Sequence, residues 1–169
     1  MSFSWRHQGP ATTIGAALLA LSTLSLAHDD SEASWRTACE GLDAVSRETC
    51  EVVVQFEEMA FEQRRPREAM ERFAAEHFVD HNPNIRGDLA SAIAHLARLD
   101  WSTAAPERKI VHFVVRGDTA MIHHHLIRKP GERGIAAVDI FRVENGKLVE
   151  HWDVLQPIPE DSVNPSPMF

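Results

Sequence analysis

Asp139 sits in an otherwise apolar run, Ala136-Ala137-Val138-Asp139-Ile140-Phe141, and three histidines, His123-His124-His125, stand on the run before it. A carboxylate in such a strand is costly to ionise unless it is partnered, so its pKa is expected to rise. Groups of this kind mark functional sites, though structural ion pairs leave the same pattern. An Asp beside an imidazole in an apolar cavity suits proton abstraction next to a carbonyl. The carboxylate takes the proton, and the imidazole donates a hydrogen bond to the developing enolate oxygen. The competing reading is a hydrogen-bonded pair that merely holds a sheet together.

Strand register decides which histidine meets Asp139. Asn145-Gly146 lies between two β-rich runs and favours a type I′ turn, because both central residues of that turn take φ > 0. A tight turn there sets Glu144 against Lys147, Asp139 against Trp152 and Phe141 against Glu150. Directly opposed residues share a face. Asp139 is therefore expected beside Phe141, Val143, Leu148 and Trp152, with His151 and Asp153 on the other face. A loop over Pro130–Gly134 sets Lys129 against Ile135 and His125 against Asp139, and a slip of one residue substitutes His124. Counting across Gly117-Asp118 sets His112 opposite His123. His123 and His125 are thus expected on the Asp139 face, and His124 off it, exposed or at a subunit contact.

The histidines also raise a metal reading. His at i and i+2 of a strand share a face, and His77, His81, His95 and His112 are further potential ligands. No Cys or Glu-x-x-His element accompanies them, and no metal or other cofactor is expected. Arg116-Gly117-Asp118 reads as a hairpin turn, and Arg64-Arg65 as solvated surface.

The elements that must position these residues follow from periodicity. Val53, Phe56, Glu57, Ala60 and Phe61 recur at helical spacing in a helix from Arg47 onward, weakly capped by Ser46. Gln63–Pro66 interrupts it. A second helix is expected over Pro66–Phe78. His81-Asn82-Pro83 leaves helical geometry, and Asp88 caps a third helix, Leu89–Leu99. From Arg108 the period changes to 2, and Ile110–Val115, Ala120–Ile127, Ile135–Val143 and Lys147–Leu155 read as an antiparallel meander. Helices first and an antiparallel sheet afterwards predicts an α+β fold with the helices on one face and a concave pocket beneath them. A ligand pocket there is expected to measure several hundred Å³.

The chain has 169 residues and a net charge of −8. Residues 1–27 read as a secretory signal: Arg6 and His7 with no acid, then an apolar run over 11–26, then Ser25-Leu26-Ala27. An uncleaved anchor is the alternative. Removing the segment leaves a more acidic remainder, which argues against nucleic acid and, once the signal is gone, against membranes. Residues 28–45 are expected to be a flexible or short helical segment, and 46–169 the domain. Cys39 and Cys50 suit a disulfide in an exported protein. On one continuous helix they would lie ~16 Å apart, too far to bridge. A turn at Gly41 or Asp43 is needed, and two free thiols are the alternative.

The runs HFVDHNPNIRGD (77–88) and AAVDIFRVENGKLVEHWDVLQPIP (136–159), with the ending NPSPMF, resemble the SnoaL-like proteins of the nuclear-transport-factor-2-like superfamily. That resemblance implies a cone of about three N-terminal helices on a curved antiparallel sheet enclosing a pocket, often a homodimer. It also implies a polyketide-cyclase-like aldol condensation without metal or cofactor, with Asp139 as acid/base and His125 as its partner. The expected function is cofactor-free acid/base chemistry (cyclisation, isomerisation or a lyase step) on a small apolar carbonyl compound, by an exported, periplasmic or secreted protein. The alternative is a non-catalytic small-ligand-binding module. The candidate ligand contacts are His81, Asn82, His123, Phe141, Trp152 and Phe56.

Overall fold

The computed structural model describes residues 35, 37–99, 101–102 and 106–169. The signal segment 1–27, and residues 28–34 and 36 of the segment after it, lie outside these residues. Helix α1 spans Ala44–Glu57 and passes into a π-helical turn at Glu58–Glu62. Helix α2 spans Pro66–Phe73, strand β1 Ala74–Asp80 and helix α3 Leu89–Leu96. Strands β2 (Glu107–Arg116), β3 (Thr119–Ile127), β4 (Ile135–Glu144) and β5 (Lys147–Pro157) follow. The sheet order is β1-β5-β4-β3-β2, with β1 parallel to β5 and the other pairs antiparallel.

Three helices on a curved α+β sheet are as expected, but the sheet is mixed and has five strands. The second helix stops at Phe73, and the residues expected to extend it form β1. Ala74–Asp80 carries inward Phe78 and Asp80 on either side of outward Val79, a period of 2. The cap of α1 is Asp43, not Ser46: its carboxylate accepts from Val45 N at 3.0 Å and Ser46 N at 3.1 Å. That satisfies two donors that a helix start leaves open. Asp88 caps α3 as expected, through Ser91 N at 2.7 Å. Asn145 and Gly146 take φ of 51° and 71°, the type I′ signature.

The helices cover one face of the sheet. Val53, Phe56, Ala60, Met70 and Phe73 pack there against Ile122, Phe141 and Leu148. A disulfide joins Cys39 to Cys50, with Cα atoms 5.5 Å apart. Gly41, at φ 74°, and the non-helical Asp43 make the turn that brings the cysteines together. This staple holds Trp35, 6% exposed, against Phe113. Replacing both cysteines by serine is expected to cost about 2–3 kcal/mol of unfolding free energy, read as a lower urea midpoint. An unchanged midpoint would show that the staple adds nothing.

Two β-bulges set which residues of β2 and β5 point toward the helices. In β2 the pairing passes from Ile110↔His124 to His112↔His123, so Val111 is extra. In β5 it passes from Val143↔Leu148 to Arg142↔Glu150, so Val149 is extra. Each bulge switches the face that the rest of its strand presents. Arg108 and His151 turn inward as a result.

Candidate functional site

Under the helices lies a cavity of about 120 Å³. This is well below the several hundred Å³ expected, and near the size of a cavity that admits benzene. Phe61, Met70, Phe78, Ile85, Leu96 and Leu99 form its apolar part. The polar wall is built by side chains from all five strands, two helices and the turn at Asn82.

Asp139 stands at its centre. Its Oδ2 accepts from Arg108 Nη2 at 2.6 Å and from His124 Nε2 at 2.8 Å, and its Oδ1 lies 3.5 Å from His151 Nε2. Arg108 reaches onward through Nη1 to Glu57 Oε2, and its guanidinium stacks 4.4 Å over the Phe61 ring. His151 Nδ1 lies 3.3 Å from Asp80 Oδ1. The helix α1 contributes Glu57 because that position falls on its buried stripe beside Phe56.

These contacts set the ionisation states. Burial alone would raise the Asp139 carboxyl, as the sequence suggests, but Arg108 and hydrogen bonds from His124 and His151 outweigh it. The carboxyl is held well below its ordinary value, which corrects the expected rise. Burial pushes Glu57 up to about 7 against the pull of Arg108. Burial and the Arg108 charge push His124 down to about 4. Burial would lower His151 too, but hydrogen bonds to Asp139 and Asp80 and their charges carry it up to about 10. An ionised Asp139 fixes the His124 proton on Nε2 and leaves Nδ1 bare, and that atom is buried with no partner among the described residues.

The expected register differs in two places. Asp139 is opposite Asp153, and Trp152 is opposite Ile140, because the Val149 bulge shifts β5 by one. Trp152 therefore faces outward and stacks on His81, centroids 4.5 Å apart. The β3–β4 loop is also longer than Pro130–Gly134: the last pair is Leu126↔Ile135, and Asp139 is opposite Ile122. Gly134, at φ 81°, packs against Leu126 O and the His125 ring where a Cβ has no room. The odd shift turns His125 and His123 outward and His124 inward. His125 Nε2 bonds Arg133 O at 2.6 Å, and its ring stacks on Phe169. His123 stacks on His112, with Nδ1 atoms 3.1 Å apart. Neither lines the cavity, and neither is beside Asp139.

Of the expected ligand contacts, Asn82, Phe141 and Phe56 line the cavity, and His81, His123 and Trp152 do not. Asn82 is buried, donates through Nδ2 to Asp153, and accepts at Oδ1 from Asn84 N at 2.8 Å. It ties the turn to β5. Sequence reasoning missed Arg108, Glu57, His151 and Asp80. Glu57 was the legible one, as an acid at an inward position of an apolar helix. Among the described residues no group of three His, Cys, Asp or Glu is placed to hold a metal ion. No helix among them is long and apolar enough to cross a membrane.

The profile of the SnoaL-like domain matches residues 53–151. A solved NTF2-like protein of unknown function from Mesorhizobium loti is 20% identical and covers 68% of this chain and 96% of its own, with a TM-score of 0.57. A candidate SnoaL-like polyketide cyclase from Jannaschia sp. is 18% identical over 68% of this chain and 89% of its own, with a TM-score of 0.55. A candidate ketosteroid isomerase from Kribbella flavida is 13% identical over 70% and 85%, with a TM-score of 0.57. No curated protein matches the sequence. At these identities the solved structures establish the fold alone.

Proposed function

The chain belongs to the SnoaL-like family, and on that footing we propose that its cavity performs cofactor-free acid/base chemistry on a small, largely apolar carbonyl compound. The observation that carries this reading is Asp139, ionised in the polar wall of a cavity whose other side is apolar, and gripped at Oδ2 by Arg108 and His124. Its Oδ1, with only the long approach of His151 Nε2, is the oxygen free to take a proton from carbon. Catalytic hydrogen bonds are often long before the substrate arrives. His151, a cation between two carboxylates, is placed to donate to the enolate oxygen as charge develops there. Neutral His124 positions Asp139. The cavity volume favours substrates about the size of a single small ring, and fused polyketides exceed it.

The test is hydrogen–deuterium exchange at the α-carbon of cyclopentanone in D₂O, followed by NMR. The protein is expected to accelerate exchange over buffer, and Asp139→Asn to reduce that acceleration by about 100-fold or more. Equal exchange by both proteins would remove Asp139 from the chemistry.

One observation favours a second reading, a non-catalytic binding module. A carboxylate held this far down by Arg108, His124 and His151 is a weak base. Cyclopentanone binding with no exchange above buffer would select that reading. Two further parts of the proposal are export, supported by the apolar run over 11–26, and pairing of two copies through the outer sheet face. Val114, Met121 and Val154 are exposed on that face, which supports the pairing.

A further inference from the structure

Along the polar wall runs a row of paired groups in alternating order: Glu57, Arg108, Asp139, His151, Asp80. The row has one more carboxyl than it has cations. If every carboxyl is ionised, one negative charge is left over in a buried place. Glu57 terminates the row and is 2% exposed. Its Oε2 accepts from Arg108, and its Oε1 is buried without a hydrogen-bond partner among the described residues. A guanidinium only donates, so a proton on Glu57 belongs on Oε1. No described protein acceptor faces it there. A ligand oxygen in the cavity that Glu57 lines would supply one.

We propose that Glu57 is the proton-exchanging group of this cavity, which binds a small oxyanion together with one proton held on Glu57 Oε1. The ligand class is a compact, mostly apolar molecule that carries or develops one negative oxygen. The charged groups acting on Glu57 are Arg108 from β2, Asp139 from β4 and His151 from β5, and with burial they leave it near 7. The catalytic consequence rests on the acid/base reading of Asp139. As Asp139 takes the proton from carbon, the C–H electron pair forms the new C=C bond and the carbonyl π pair moves onto oxygen. Glu57 protonates that oxygen, giving a neutral enol and a carboxylate still paired with Arg108. One carboxyl is held low and its neighbour high, the arrangement that separates a base from an acid.

The probe is trifluoroacetate, whose own acid is too strong to hold a proton near neutrality. Any proton taken up on binding then belongs to the protein. Titration calorimetry at pH 8 in two buffers of different ionisation enthalpy is expected to show uptake of about one proton per anion bound. The affinity should weaken about tenfold from pH 8 to pH 9. In Glu57→Gln the uptake disappears, and the affinity changes less than about twofold over the same range. Should that variant not fold, carbon-13 NMR of the Glu57 carboxyl in the native protein replaces it, with the signal moving to the acid position as the anion is added. Absence of uptake, uptake that persists in Glu57→Gln, or no binding at millimolar anion would each overturn the proposal. None of these readouts needs turnover. Failure of cyclopentanone exchange with intact proton uptake would therefore sink the catalytic reading and leave this one standing.

Discussion

Replacing Arg108 by methionine is expected to lower the unfolding free energy by about 3–5 kcal/mol at pH 8, and by much less at pH 5. Arg108 is the shared counter-ion of Glu57 and Asp139, with 4% of its side chain exposed. Methionine can fill the space beside Phe61, so the loss at pH 8 measures two buried carboxylates left without their cation. The pH dependence separates charge from packing. Arg108 is the main group drawing the Glu57 carboxyl downward against burial, so without it Glu57 rises above 7. A group whose folded pKa is raised lends stability below its unfolded value and loses it as pH climbs through the folded one. At pH 5 the variant carries Glu57 in its neutral form, and only Asp139 still lacks its cation. Urea unfolding at the two pH values reads the difference. An equal loss at both would mean that packing against Phe61, not charge, is what Arg108 contributes.

The intact protein should lose about 3–4 kcal/mol of stability between pH 7 and pH 10, with His151 responsible. Its folded pKa is raised from 6.5 to about 10. The folded state keeps its proton through this window while the unfolded chain has released it, so stability is full below about 6.5 and drains away toward 10. The chain has no tyrosine, and both cysteines are in the disulfide, so few other side chains titrate there. Below pH 6.5 two effects oppose each other. Glu57, raised from 4.5 to about 7, loses stability as pH rises. His124, lowered from 6.5 to about 4, gains it over nearly the same interval. The profile should therefore be shallow in mild acid and steep in mild base. His151→Gln, which leaves no titrating cation between Asp139 and Asp80, is expected to be less stable at pH 7 but nearly flat from 7 to 10. A variant that keeps the alkaline slope would assign it elsewhere.

Much of the architecture was legible in the sequence because it is local. Asn145-Gly146, Asp88 and Pro66 each act through their own backbone neighbourhood, and each does what its type predicts. The Asp139 run was legible too, as a single acid among apolar residues. The strand over Ala74–Asp80 was not, because its inward Phe78 also fits the spacing of a helix continuing from Phe73. The partner of Asp139 was not legible for a different reason. Register is a sum over everything between two residues, so a longer β3–β4 loop and an extra Val149 displace His125 and Trp152 without any mark at His125 or Trp152 themselves. Arg108 and Glu57 lie far apart in the chain, and only the fold reveals that they share a hydrogen bond.

The two bulges make the site depend on parity. Arg108 and His151 face the cavity only because Val111 and Val149 are left out of the pairing between each of them and the nearer hairpin. Were either valine paired like its neighbours, every chemical group would remain in the chain, yet the strand beyond it would slip by one and swing its side chains through the sheet. Lys109 would replace Arg108, or Trp152 would replace His151. The chemistry of this protein is thus encoded partly in which two residues stay out of its ladders, and a chain that keeps every ionisable group of the polar wall but loses a bulge to regular pairing would have the parts of the site without the site.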